Sequence, residues 1–542
     1  MRERGPVIID TPFSENLMPD TGDTATPPQP AAMNMNVRAI YGALMVVMLL
    51  ASLDSTIVAT ALPTIVGEFG QLAHLSWIVT AYLLATTIVT PLYGKLGDLF
   101  GRKIVLQSAI LLFLVGSALC GLSQSMGALI AFRALQGLGG GGLMVTITAV
   151  VGDLFSPRER GRYQGVFGGI FGLSTVLGPL IGGFFVEQLS WRWIFYVNLP
   201  LGFLALAVIG WAFTAPATRR QPHLDLGGAA LLGVMLTALI LLTSFGGSAV
   251  DWRSPEAVGL AGIALVALLG FVWVERLVAE PLLPLHLFGN RIFAIACAIG
   301  FIVGLALFGS ITFMPLYLQV VKGVTPTGAG MALTPMMAGV LVTSIASGRL
   351  ITRIGRYRLF PIVGTALMTA ALALLATLSI ATTVTAACLY MVVLGLGLGM
   401  VMQVLVLVAQ NAVPYENLGV ATSATTLFRS IGGSIGVSLF GAVFAGELTT
   451  GLAGSLPHGA PVSIETAPAA IQALPSATRS LYLHAFTAAL HPVFLHAAII
   501  GAVAFALTWF LQEVPLRGSA PIASRPAPHP PYSGRDKLPG GS

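Results

Sequence analysis

Apolar residues in this chain fall in long, almost unbroken runs, without the alternation of strands or the one-sided stripe of surface helices. A helix needs about 20 mostly apolar residues to cross the hydrocarbon of a bilayer. Fourteen segments meet that length, near residues 40–62, 76–97, 104–123, 127–149, 162–186, 193–213, 225–246, 256–275, 292–316, 327–349, 358–379, 384–408, 418–446 and 492–511. The expected fold class is therefore an all-α membrane protein. The polar stretches 1–37 and 512–542 read as disordered tails. The first apolar run starts near Ala39 and is too long for a cleaved leader, so it is taken as the first span. The Gly-, Pro- and Ala-rich stretch from Glu447 to Leu490 reads as a loop between the last two spans, with room for a short hairpin or helix.

Composition narrows the class. Of the 542 residues 56% are hydrophobic and only 9% charged, with a mean hydropathy of +0.87. Soluble domains carry about a quarter charged residues, so a soluble fold is excluded. The net charge of +6 does not require a nucleic-acid partner, because the basic residues are placed as membrane topology places them. All but six of the 27 Lys and Arg fall on one face of the fourteen-span arrangement; the exceptions are Arg133, Arg192, Arg253, Lys322, Arg429 and Arg479. Positive charge stays inside, and the span number is even, so both termini are expected in the cytoplasm. Cys120, Cys297 and Cys388 each sit in an apolar run and read as small packing residues rather than a disulfide or zinc site.

A ten-residue pattern occurs twice. Gly94-Lys-Leu-Gly-Asp98-Leu-Phe-Gly101-Arg102-Lys103 follows the second span, and Gly348-Arg-Leu-Ile-Thr352-Arg353-Ile-Gly355-Arg356-Tyr357 follows the tenth. Once spans 7 and 8 are set aside, each copy follows the second helix of a six-helix half. Internal duplication with a substrate site between the halves is a common transporter plan.

These residues resemble the major facilitator superfamily, in particular its fourteen-helix drug:proton antiporter branch. Gly94–Lys103 is similar to the family's signature between helices 2 and 3, and Arg133-Ala-Leu-Gln136-Gly137-Leu-Gly139 to its helix 4 motif. Gly178-Pro179-Leu-Ile-Gly182-Gly183, with Gly165 upstream, resembles the helix 5 motif of antiporters. Leu53-Asp54-Ser-Thr56-Ile57-Val58-Ala-Thr60-Ala61-Leu62-Pro63 and Trp191-Arg192-Trp-Ile-Phe-Tyr-Val-Asn198-Leu-Pro200 resemble the branch's motifs at helices 1 and 6. The chain departs from the pattern at Ser174 and Thr60, and Thr352 replaces the acid of the second repeat copy, which weakens any charge clamp there. The resemblance implies two six-helix bundles, 38–213 and 281–511, with two additional central helices in 214–280.

Asp54 stands mid-way along the first span, where an acid is costly and tends to face a cavity or partner. It is the candidate proton carrier. Arg133 is the candidate cation beside it, electrostatic in role because Arg does not give up its proton. Gly94, Asp98, Gly101, Arg102 and Lys103 form a candidate cytoplasmic gate, with Asp98 capping the turn. Gly165, Gly178, Pro179, Gly182 and Gly183 suit a close-packed, kinked helix. Trp77, Tyr82, Phe171, Phe313, Gln319, Gln403 and Arg429 are candidates for a cavity accepting an amphipathic guest.

The span interiors hold almost no other acid, which points to neutral or monocationic lipophiles rather than divalent cations. No phosphate loop, nucleophile elbow or metal-ligand spacing is found, so no cofactor and no enzyme activity are expected. The expected function is proton-coupled export of lipophilic drugs or amphiphiles by alternating access, by a monomer in the cytoplasmic membrane. Export of a native lipid, siderophore or metabolite is the alternative, and an uncoupled facilitator a further one.

Overall fold

The computed structural model describes residues 35–69, 75–213, 225–245, 252–278, 280–455, 471–472 and 474–516. Helix α1 runs Met35–Phe69, α2 Leu75–Phe100, α3 Arg102–Leu122, α4 Met126–Leu154 and α5 Pro157–Gln188. A turn at Trp193–Tyr196 leads into α6, Asn198–Ala212. Helices α7, Leu226–Phe245, and α8, Pro255–Leu277, precede a 3-10 turn at Leu285–Gly289. Then come α9, Arg291–Val320, a short turn at Pro326–Met331, and α10, Thr334–Ile354. Helices α11, Leu359–Leu375, α12, Val384–Ala412, α13, Leu418–Ser455, and α14, Ser476–Thr508, complete the series. Among the described residues there is no β-strand, and eleven helices are long and apolar enough to cross a membrane.

The three expected spans outside those eleven correspond to α5 and α9, continuous helices of 32 and 30 residues, and to α11, a shorter apolar helix of 17.

Local sequence sets the boundaries. Ser125, Ser254, Thr325 and Thr383 accept backbone N–H bonds from the first turns of the helices they precede, satisfying donors that a helix start leaves free. Ser156 and Glu159 form a capping box with Pro157 in the first turn, so α5 begins five residues before the expected 162. Gly101 has φ 90, and that single left-handed residue separates α2 from α3. The ten-residue repeat is thus mostly helix, not loop.

The largest correction concerns the expected loop 447–490. Helix α13 continues to Ser455 and α14 starts at Ser476. Leu448 and Leu452 of α13, and Tyr482, Phe486 and Leu490 of α14, are buried in one shared core. Their helical spacing gives an apolar face that a reading of composition overlooked. Of the expected tails 1–37 and 512–542, residues 1–34 and 517–542 lie outside the described residues, as do residues 456–470, while Met35–Val37 already belong to α1.

Helices α1 to α6 pack as one bundle and α9 to α14 as another, while α7 and α8 pair with each other and α7 rests against α2 and α13. Leu44, Leu106, Phe113, Ile147 and Phe167 fill the first core, and Phe293, Met368, Leu372, Met391 and Phe494 fill the second. Helix α8 leaves Val266, Leu269, Trp273 and Leu277 exposed, as suits a lipid-facing surface.

The bundles meet where α5 runs along α10 and α2 along α13. Lipid is as apolar as these side chains, so association depends on close packing. A Cβ on Gly165 would stand 2.5 Å from the Ser344 carbonyl oxygen, and one on Gly348 would collide with the Gly161 backbone. Ser344 Oγ donates to the Gly165 carbonyl at 2.9 Å, and Gln164 Nε2 donates to Gln410 Oε1 at 3.1 Å across the same seam. The bundles are therefore closed against each other at the end that carries the basic loops, called here the basic face.

Candidate functional site

Asp54 of α1 is fully buried, and it does not stand alone. Arg133 Nη1 donates to Asp54 Oδ2 at 2.7 Å. Gln136 Nε2 donates to Oδ1 at 2.8 Å, and Asn198 Nδ2, at the start of α6, donates to the same oxygen at 3.3 Å. Two helices, α4 and α6, thus supply three donor side chains to one carboxylate carried by a third, α1. Arg133 is held from every side. It also donates to Gln136 Oε1 at 2.7 Å and to the Ile78 carbonyl at 3.3 Å, and its guanidinium lies 4.1 Å from the centre of the Tyr82 ring. Ser117 of α3 accepts from Gln136 and Asn198 and donates to the Phe195 carbonyl.

The sequence brought out Asp54 and Arg133, and the structure places them in contact. Gln136, Asn198 and Ser117 went unassigned. The spacing of Arg133 and Gln136, one helical turn apart, was a usable signal; Ser117 carried none. Breaking such a pair on one side costs about 3–5 kcal/mol, because a charge is left buried and unpaired. Removing the charge of Asp54 therefore reaches Arg133 directly.

At the basic face, Asp98 sits in the last turn of α2. It does not cap its own turn as expected: its oxygens accept the Gly419 and Val420 N–H groups, at 3.2 and 3.1 Å, from the N-terminus of α13 in the other bundle. A carboxylate there is favoured by the helix dipole and the free N–H groups. Arg102 bonds Asp98 and also Asp153 of α4, the latter at 3.2 Å. Lys103 Nζ donates to the Gly210 carbonyl at 2.9 Å, within its own bundle. Gly94 lets α13 approach, since a Cβ would lie 2.5 Å from Ser423 Oγ. In the second repeat copy, the hydroxyl of Thr352, at the position of Asp98, donates to the Gly348 carbonyl of its own helix.

The helix 5 residues divide. A Cβ on Gly178 would collide with Thr56 of α1, whose hydroxyl donates to the Ser174 carbonyl at 3.0 Å. Gly178 thus seals α5 against the helix that carries Asp54, while Gly165 seals it against α10. Gly182 is buried, but nothing lies within 4 Å of a Cβ on Gly183, so the close seam excludes it. The side chain of Pro179 lies outside the described residues.

The cavity candidates are not brought together. Tyr82 is buried under Arg133, and Phe313 packs against Phe444 at 5.1 Å in the second core. Phe171 is exposed, and Trp77, Gln319 and Gln403 are half-buried. Arg429 lines a small pocket between α9, α12 and α13.

On the face opposite the basic one, Glu68 accepts from Trp191 Nε1 at 2.6 Å and Arg192 Nη2 at 2.8 Å. Hydrogen bonds from Arg192, then Trp191, hold its carboxyl below the usual carboxylate range.

Residues 44–437 match the Major Facilitator Superfamily. The chain is 38% identical to the multidrug transporter protein MdtP of Bacillus subtilis (strain 168), over 87% of this chain and 92% of that one. Multidrug resistance protein 3 of the same organism is 33% identical, over 93% and 99% of the two chains. An uncharacterized MFS-type transporter of Mycobacterium tuberculosis (strain ATCC 25618 / H37Rv) is 45% identical, over 88% of this chain and 70% of its own. Two solved structures share the fold. The human organic anion transporter MFSD10 superposes with a TM-score of 0.62 at 16% identity, over 88% of this chain and 100% of that one. The proton:xylose symporter XylE superposes with a TM-score of 0.57 at 14% identity, over 88% and 96%.

Proposed function

The chain belongs to the Major Facilitator Superfamily and is a membrane transporter of small molecules rather than an enzyme; from that premise we propose that it exports lipophilic compounds in exchange for protons. The observation that carries this reading is the buried cluster around Asp54. An ionised Asp54 satisfies Arg133, Gln136 and Asn198 together. A proton on Asp54 removes the charge that holds Arg133 and replaces an acceptor with a donor that faces other donors. The two protonation states therefore demand different packing of α1, α4 and α6. Gly178 ties α1 tightly to α5, and α5 forms the seam with α10. A rearrangement at Asp54 thus has a short mechanical path to the contact between the bundles.

In this account the basic face is cytoplasmic, as the positive-inside rule requires, and Asp98 on the N-terminus of α13 latches it shut. Asp54 then exchanges protons with the outside, and the guest enters once the latch opens. One chain holds both bundles, so the transport unit is the monomer. The multidrug names of the Bacillus subtilis relatives support a lipophilic guest. The test uses purified protein in vesicles with an imposed pH gradient and a neutral fluorescent lipophile. Uphill movement of the lipophile that stops when nigericin collapses the gradient is expected. Movement that continues unchanged after the collapse would refute proton coupling.

A further inference from the structure

We propose that Arg429 is the anion-binding residue of a substrate pocket in the second bundle, and that the substrates include amphiphiles bearing one acidic group, such as a sulfonate, sulfate, phosphate or carboxylate. The proposal rests on the exporter reading above and names the substrate class.

The pocket is lined by Gly300 and Val303 of α9, Met402 and Leu405 of α12, and Thr425 and Arg429 of α13. Its wall is apolar apart from two groups. The Thr425 hydroxyl is spent on the Ala421 and Thr422 carbonyls of its own helix. Arg429 is left as the functional polar group. It is half-buried, and among the described residues it makes no ion pair and no side-chain hydrogen bond.

Among the described residues, spacing along the chain explains why no carboxylate of the second bundle neutralises it; Glu465 lies outside them. Between residues 281 and 512 the only acids are Glu416, Glu447 and Glu465. Glu416 precedes α13, 13 residues from Arg429, and Glu447 follows Arg429 by 18 residues. At 1.5 Å rise per residue these lie about 20 and 27 Å away along the helix. Asp98 of the first bundle engages the residues at 419 and 420, about 14 Å below Arg429 on the same scale. Asp54 is already held by Arg133.

The contrast between the bundles is the informative point. Arg133 is matched by a carboxylate, an amide, a backbone carbonyl and an aromatic face. Arg429, half-buried, is matched by none of these among the described residues. A guanidinium stays charged at any working pH, and an unmatched charge within a membrane marks a substrate pathway. A fixed cation with a planar fork of donors set in an apolar wall suits an oxyanion head; the pocket is about the size of one water in this closed arrangement, so a lipophilic body enters only as α9, α12 and α13 move apart. It disfavours a cationic guest at this position, which sets the proposal apart from the neutral or monocationic guest expected from the sequence.

The test measures equilibrium binding of two dyes to the full chain in phosphatidylcholine vesicles. The dyes are 8-anilinonaphthalene-1-sulfonate and N-phenyl-1-naphthylamine, which share the aromatic body and differ by the sulfonate. The readout is the ratio of their affinities. Arg429→Gln is expected to lower the sulfonate preference about tenfold or more, the scale of losing one charge-assisted contact, and Arg429→Lys to restore most of it. Should Arg429→Gln fail to fold, Thr425→Asp makes the same test by placing a carboxylate one turn from Arg429 in the same pocket, with the same fall expected. Added phosphatidylglycerol that competes with the sulfonate only when Arg429 is present would identify the bound anion as a lipid headgroup; no competition would identify it as a free amphiphile. An unchanged ratio in the tested neutralising variant overturns the proposal. A pH gradient that drives neither dye would defeat the exporter reading separately, leaving the binding ratio to decide the anion site.

Discussion

Asp98→Asn is predicted to open the basic face. The native carboxylate accepts two N–H groups from α13 and bonds Arg102, so it joins the bundles and completes a charge pair at once. Asparagine has one carbonyl oxygen. It can keep one of the two inter-bundle bonds but loses the other, and it loses its charge at a helix N-terminus. A hydrogen bond to a charged group contributes about 1.5–3 kcal/mol, and the charge–dipole interaction about 0.3–1 kcal/mol near a surface. Water replaces part of both when the bundles separate, so the net loss is about 2 kcal/mol. That is a factor of roughly 30 in the closed-to-open ratio. Arg102 remains tied to Asp153, which limits collateral damage. The assay places spin labels at Ile104 and Leu359, which are 59% and 64% exposed and start α3 and α11 at the basic face of opposite bundles. In the native protein the distance distribution is expected to be dominated by the short, closed form. In Asp98→Asn a longer component should rise to a readily measured share. Identical distributions in the two proteins would refute the role of Asp98 as an inter-bundle latch.

Gly165→Leu puts a side chain against the Ser344 carbonyl and is predicted to hold the same labels apart, since overpacking costs about 1–3 kcal/mol; an unaltered distance would place the seam elsewhere. Asn198→Ala removes a donor shared by Asp54 and Ser117 and should lower thermal stability by about 1–3 kcal/mol, the cost of a buried group left short of a partner; an unchanged melting temperature would mean that the amide is dispensable. Glu68→Gln tests the opposite face. Because Arg192 and Trp191 depress the Glu68 pKa, its contribution is complete above the usual carboxylate range and is lost only as pH falls through the lower folded value. The melting-temperature difference between native protein and Glu68→Gln should therefore stay level from neutral pH to about pH 5 and shrink in stronger acid. A difference that vanishes already between pH 7 and pH 5 would contradict the assignment.

Much of the fold was legible because membrane helices announce themselves by length and apolarity, and because the basic residues and the Gly94 and Gly348 repeats mark two equivalent halves. The failures have physical causes. The ends of α13 and α14 are too polar and too rich in small residues for a hydropathy reading, yet Leu448, Leu452, Tyr482 and Phe486 give them a shared buried face. Asp98 read as the cap of its own turn because local sequence cannot reveal a helix N-terminus more than 300 residues away. Asp54 and Arg133 stood out because charge in an apolar run is conspicuous, whereas Gln136, Ser117 and Asn198 are uncharged and were found only through contacts. Aromatic residues were weak guides to a pocket, since Tyr82 and Phe313 serve packing.

The central claim, that Asp54 carries the coupled proton, is tested most directly by comparing native protein with Asp54→Asn in vesicles, using one lipophilic substrate and two modes of transport. Downhill exchange at equal pH on both sides measures alternating access, and uphill movement under an imposed pH gradient measures coupling. The account predicts that Asp54→Asn still binds the substrate and retains exchange, but gains nothing from the gradient. An Asp54→Asn protein that concentrates substrate under a pH gradient as the native protein does would contradict it.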